Sequence, residues 1–282
     1  MEYVERRRTA VEDHLQGVVE DVEPPKLRER LRNVVLQGGK RVRPTLTVLA
    51  CEAAGGEQDD GTALDFAVGV ELVHNASLVV DDIIDRSDLR RGSASAWAEY
   101  GYGQAIVASD GLLGEAFALF AADPRAMETA ADAMVELGEG EAMELADRPE
   151  SEEEYMALAR RKTGALFRTA AELGAIAADA DDDTVEAFGE YAERVGIAFQ
   201  IRDDVLDATA DPAKLGKPAG QDVEMDRPSV VRVTDRPIDE VNDLAVEQSE
   251  AALAALERVD VVEGEAYDYL EDLAQFVVER EK

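Results

Sequence analysis

The chain has 282 residues, with 63 aspartates and glutamates against 29 lysines and arginines, a formal charge of −34 and a pI near 4.3. So acidic a protein disfavours nucleic acid and anionic membranes as partners, and its one cysteine, Cys51, excludes an internal disulfide framework and fits a reducing compartment. Only six residues are lysine, and an acidic excess spread along the whole chain suits a high-salt cytoplasm, where screening weakens self-repulsion.

Nearly every segment repeats apolar residues at helical period, and no convincing strand alternation occurs. No linker or fixed-period repeat divides the chain, so the expectation is one all-α domain over 1–282. No charged-then-apolar leader opens it, and no apolar run approaches bilayer length, so a cytoplasmic protein without a transmembrane segment is expected.

Helices are expected over 3–20 and 26–37, parted by Glu23-Pro24-Pro25. Gly38-Gly39 stops the second, and Pro44 lies in the first turn of a third that runs to about Ala54. Between them, Lys40, Arg41 and Arg43 bring three positive charges to a helix start, where free N–H groups and the dipole also favour anions. A solvated capping turn is the bland alternative, but in a lysine-poor chain the cluster stands out.

The next helix, about 62–86, ends in the stretch LVHNASLVVDDIIDRSDLRRG from Leu72 to Gly92. Asp81 and Asp85 lie four apart and stack on one helical face, with Asp82 at its edge. Carboxylates converging after an apolar run suit Mg²⁺, which takes a few protein oxygens plus water and substrate phosphate oxygens. Arg90 and Arg91 come soon enough after them to meet the same phosphates. His74 lies two turns before Asp81 on the same side and could donate to a phosphate, although a lone histidine there is more often a core residue.

Further helices are expected over 103–121, 125–146, 152–178 and 183–207, then 237–258 and 263–280. Lys162 and Thr163 offer a cation and a hydroxyl on the third of these. The fourth carries a second cluster, Asp203-Asp204-Val205-Leu206-Asp207, after another apolar run, with Gln200 about one turn ahead. One such motif in so acidic a chain could be a solvated helix end. Two in helical context read instead as carboxylate clusters facing each other across a cavity. The stretch 208–230, rich in Pro, Gly and Asp, is long enough to be functional. It could fold over the site as a flap and bring Lys217 onto a phosphate.

Together, GGKRVRP, HNASLVVDDIID followed by RRG, KTGALF, and GIAFQIRDDVLD with LGKP resemble the trans-isoprenyl diphosphate synthases, the polyprenyl synthetase family, in order from about Gly38 to Ser229. The resemblance implies a helical bundle around a central cavity, usually as a homodimer. It implies that Asp81 and Asp85 hold two Mg²⁺ ions and Asp203 a third, with Asp82, Asp204 and Asp207 in or near the coordination shell. Arg90, Lys162 and Lys217 would bind the diphosphate of an allylic substrate. Lys40, Arg43, His74 and Arg91 would bind that of isopentenyl diphosphate. Thr163 and Gln200 would turn oxygens toward a developing carbocation. The chain departs from the family pattern at Arg227 and Ser229, where Lys and Thr are usual, and at Glu141 and Glu144, where a Gln-x-x-Asp pattern is usual.

Small residues at Ala76 and Ser77, one to two turns before Asp81, leave a tunnel for the growing tail. Its floor is expected deeper, at Leu72, Val73 or the helix with Leu112, Leu113 and Phe117, giving a product of C20 or longer. The alternatives are a terpene cyclase, which would not need the basic cluster and His74, and a non-catalytic partner subunit, in which eroded aspartate clusters would be expected.

Overall fold

The computed structural model describes residues 2–57, 61–209, 228–259, 262 and 264–279. The first helices come in the expected order: α1 (Glu2–Glu20), α2 (Pro25–Val35), α3 (Val42–Ala53) and α4 (Gly61–Ile84). After α4 come the strands β1 (Leu89–Arg90) and β2 (Ser93–Ala94), then α5 (Ala96–Tyr100), α6 (Tyr102–Phe120) and α7 (Pro124–Ala142). The last part comprises α8 (Glu152–Ala159), α9 (Ala165–Ala177), α10 (Asp182–Thr209), α11 (Val230–Val233), α12 (Ile238–Leu256) and α13 (Glu265–Glu279).

The fold is all-α, with two local departures from the expected elements. First, Leu89 pairs with Ala94 and Arg90 with Ser93 in a two-residue antiparallel ladder. Arg91 (φ 52°) and Gly92 (φ 80°) make its turn, the positive-φ pair that tight hairpins require. Second, the single helix expected over 152–178 is α8 and α9 joined by a π turn at Arg160–Gly164, and α7 likewise runs into a π turn at Met143–Asp147. Each inserted residue rotates the downstream helix by about 100°, and such bulges cluster at functional sites.

The core is built around α4, α9 and α10, with α6 against α4, α3 against α9 and α12 against α10. Phe66 of α4 meets Phe120 of α6 with ring centroids 6.2 Å apart. By length and composition α4 is apolar enough to cross a membrane, contrary to the expectation that no segment would be. The apolar window is 67% buried inside the fold, so its greasiness serves core packing.

Glycines set the closest helix approaches. A Cβ on Gly174 of α9 would stand 2.2 Å from the Thr47 carbonyl oxygen and 2.8 Å from the Ala50 Cβ on α3. Gly174→Ala must therefore push two core helices apart. It is expected to cost about 3 kcal/mol, read as a lowered denaturant midpoint with an unchanged slope.

Candidate active site

A cavity of about 660 Å³ opens between α3, α4, α6, α7, α9 and α10. Its α4 wall carries Val73, His74, Ala76, Ser77, Val80 and Asp81, residues repeating at i, i+3, i+4 and i+7 along one face. Leu72, Asn75, Val79 and Asp82 form a buried stripe on another face, directed into the core. The helix thus divides the first aspartate cluster: Asp81 lines the cavity, and Asp82, about 100° round, does not.

Asp82 is 3% exposed and accepts from Arg90 Nε (3.0 and 3.2 Å) and from Arg90 Nη2. The hairpin brings Arg90 to it, and Arg90 itself also lines the cavity. Asp82 thus anchors an arginine of the cavity wall, next to Asp81 in the chain. Asp85 comes just after the last residue of α4, donates its N–H to the Asp81 carbonyl (2.9 Å), and is absent from the cavity lining.

In the second cluster both Asp203 and Asp204 line the cavity, and they differ in exposure. Asp203 is exposed to the cavity. Asp204 is 3% exposed and accepts from the Tyr155 hydroxyl (2.7 Å), the Val230 N–H (2.8 Å) and Gln200 Nε2 (2.9 Å). Its oxygens therefore tie α8, α10 and α11 together at the cavity wall. Asp207 is half-buried and does not line the cavity. Because the Asp204 carboxylate only accepts, Gln200 must direct its amide nitrogen there. Gln200 then turns its oxygen to the Thr163 hydroxyl, which donates to it at 2.9 Å.

Lys162 lies on the π turn, ion-paired with Glu144 and, at 3.1 Å, with Glu141. Burial opposes its charge, but Asp81, Glu144 and Glu141 outweigh it and raise the lysine pKa. Burial raises Asp81 to about 6, with Lys162 opposing and the two glutamates reinforcing the shift. The two departures from the family pattern, Glu141 and Glu144, thus stand together beside Asp81 and Lys162.

At the basic end, Lys40 is exposed on the cavity rim and Arg43 lies deeper, its guanidinium 4.6 Å above the Phe167 ring and Nη1 3.4 Å from His74 Nε2. Burial lowers Arg43 to about 10, with Glu71 and Asp203 opposing, so it stays cationic at neutral pH. Burial and four surrounding arginines hold His74 well below the usual range, so it meets the cavity as neutral imidazole. Arg41, third of the expected charges, is 4% exposed; it pairs with the buried Glu71 and donates to the Val35 carbonyl at 2.5 Å. It holds the α2–α3 turn, so its charge is already met by a buried carboxylate. Arg91 donates to the Gly38 carbonyl. A Cβ on Gly39 would stand 3.0 Å from that guanidinium, so the second glycine is what lets Arg91 reach this place.

Lys217, Arg227 and most of the expected flap lie outside the described residues; Ser229 is described and buried. The deeper cavity is lined by Val73, Ala76 and Leu113, joined by Met134, Leu137 and Gly138 of α7. Leu72 and Leu112, expected near the floor, are fully buried in the core, and Phe117 does not line the cavity. The α7 contribution was not legible in the sequence, because its apolar spacing says that it packs but not against what.

The donors present fit hard divalent cations: Asp81 and Asp203 bring carboxylate oxygens to one cavity, and their neighbours Asp82 and Asp204 are already engaged by protein donors. Among the described residues no three Asp, Glu, His or Cys side chains converge as a closed cage. Two carboxylates in an open cavity leave room for the water and phosphate oxygens that a cation such as Mg²⁺ also takes.

The pattern of the polyprenyl synthetase family matches residues 24–269. The chain is 39% identical over 214 residues to a short chain isoprenyl diphosphate synthase of Methanocaldococcus jannaschii, covering 73% of this chain and 65% of that protein. It is 32% identical over 288 residues to a geranylgeranyl diphosphate synthase of Methanosarcina mazei, covering 95% and 88% respectively. The structure superposes on a geranylgeranyl pyrophosphate synthetase of Pyrococcus horikoshii with a TM-score of 0.89 at 32% identity, over 99% of this chain and 97% of that one. With matched aspartate clusters on facing helices and this likeness along its length, the chain belongs to the polyprenyl synthetase family of isoprenyl diphosphate synthases.

Proposed function

We infer that the chain is a trans-prenyltransferase that condenses isopentenyl diphosphate with an allylic diphosphate to give geranylgeranyl diphosphate (C20) or a longer product. The observation that carries this is one cavity with Asp81 and Asp203 at its mouth, two separate groups of cations beside them, and an apolar interior. Two groups of cations match two diphosphates, which favours condensation over cyclisation of a single diphosphate.

Lys162 and Arg90 bind the allylic diphosphate, and Asp82 fixes the plane of the Arg90 guanidinium. Lys40, Arg43, Arg91 and neutral His74 hold isopentenyl diphosphate. The allylic C–O bond breaks with its electron pair leaving on diphosphate, the isopentenyl double bond forms the new C–C bond, and the departed diphosphate takes the proton that is then lost. Thr163 and Gln200, locked to each other and through Asp204 to the scaffold, present fixed oxygens to the cation and need not reorganise as charge develops. Three Mg²⁺ ions held at Asp81, Asp85 and Asp203 would neutralise the leaving diphosphate as Lewis acids. We further read the whole chain as one domain of a cytoplasmic homodimer in a high-salt cell. Ile106 and Val107 of α6 and Val135 of α7 are large apolar side chains left exposed, which supports a second copy.

Chromatography of products after incubation with isopentenyl diphosphate, Mg²⁺ and each allylic starter tests the reading. Turnover without isopentenyl diphosphate would instead favour a cyclase, and no turnover by the purified chain would favour a partner subunit. The same assay reads product length. Ala76 is 1% exposed on the tunnel wall, where there is no slack for a ring, so Ala76→Tyr is expected to shorten the product. An unchanged or longer product would remove the tail from this path.

A further inference from the structure

Behind the π turn of Arg160–Gly164 lies a second cavity of about 650 Å³, between α7, α9 and α10 and lined by charged side chains. Arg160 faces this cavity, whereas Lys162 and Thr163, two and three residues on, face the first. One turn of chain separates the two. Arg160 Nη1 lies 3.5 Å from Glu136 Oε1 on α7 and 3.9 Å from Glu193 Oε2 on α10. Glu193 is 9% exposed, and its Cγ is 3.2 Å from where a Cβ on Gly164 would stand. Two turns along α10, Gln200 accepts from Thr163, so α10 holds the π turn from both sides. From α7, Gly140 approaches so closely that a Cβ there would stand 3.1 Å from the Lys162 backbone nitrogen.

A π turn has an ordinary competitor. Relaxation to α geometry removes one residue from the turn and rotates the residues concerned by about 100°. Lys162 and Thr163 would then leave the cavity wall. Something must select the wider turn, and the ion pairs of Arg160 stand at its first residue.

We propose that Arg160 and Glu193, with Glu136, are positioning residues that hold the π turn in the register presenting Lys162 and Thr163 to the allylic substrate. They touch no substrate themselves. The inference rests on the roles proposed for Lys162 and Thr163. It predicts a kinetic asymmetry, because the isopentenyl group Lys40, Arg43 and His74 is carried by α3, α4 and the turn before α3, not by this turn.

The test is steady-state kinetics of Glu193→Gln, Arg160→Met and Arg160→Lys with each substrate varied in turn. Glu193→Gln and Arg160→Met are expected to lower kcat by roughly tenfold to a hundredfold and to raise KM for the allylic starter. KM for isopentenyl diphosphate should stay within about twofold, and Arg160→Lys should recover most of the loss. Glu128→Gln, on the wall of the same cavity and exposed, should leave these constants unchanged. Equal rises in both KM values, or unchanged kinetics with only a lower melting temperature, would overturn the proposal. Should Glu193→Gln not fold, the Arg160→Met and Arg160→Lys pair carries the same comparison. Hydrogen exchange of residues 158–166 gives a readout independent of turnover: it should quicken in Glu193→Gln and Arg160→Met but not in Glu128→Gln. If the wild-type chain shows no condensation, the functional reading fails, while the exchange result still decides whether the clamp exists.

Discussion

Asp81→Ala and Asp203→Ala each lower turnover by roughly three orders of magnitude or more while the helical fold survives. Each removes a carboxylate that reaches the cavity from a different helix, α4 and α10. Several kcal/mol of charge neutralisation at the leaving diphosphate depend on such oxygens, and each 1.4 kcal/mol is about a factor of ten in rate. The fold is spared because neither side chain anchors the packing that Asp82 and Asp204 anchor. Single-turnover rates with saturating Mg²⁺, beside circular dichroism, make the measurement. Near-normal Mg²⁺-dependent turnover in either variant would sink the metal assignment.

Asp204→Ala is expected to behave differently, losing stability as well as rate. Its carboxylate accepts three hydrogen bonds from three segments, Tyr155, Gln200 and Val230, at 2.7 to 2.9 Å. Alanine leaves three donors in a buried setting without their acceptor, at a cost of about 3 kcal/mol or more. It also loosens Gln200 and through it Thr163. Tyr155→Phe, which removes one of the three donors and keeps the acceptor, should cost only about 1 kcal/mol. A denaturant midpoint for Asp204→Ala equal to that of the wild type would show that this carboxylate does not hold the three segments together.

The middle aspartates show where reading the sequence stops. Each Asp-Asp-x-x-Asp repeat places its carboxylates within one helical turn, and composition alone treats Asp81 and Asp82, or Asp203 and Asp204, as equals. Asp82 lies outside the cavity lining, whereas Asp204 lines the cavity beside Asp203 but spends its oxygens on protein donors, and which carboxylate is engaged depends on the segment that covers it. Arg90 covers one from the hairpin eight residues on, and Tyr155 covers the other from α8, 49 residues away in the chain. Arg41 shows the same limit: three charges in GGKRVRP read alike until Glu71 takes one of them inward.

Local sequence suffices for the all-α class, the order and near-correct bounds of the main helices, the family, and the two carboxylate clusters with their cations. These rest on apolar periodicity, on glycine and proline punctuation, and on motifs held in chain order. Packing between distant segments decided the π turns at Met143–Asp147 and Arg160–Gly164, the short hairpin that delivers Arg90, and the share of α7 in the tunnel. A one-residue bulge costs little locally, leaves no periodic signature, and is fixed only when ion pairs and glycine contacts from other helices select it.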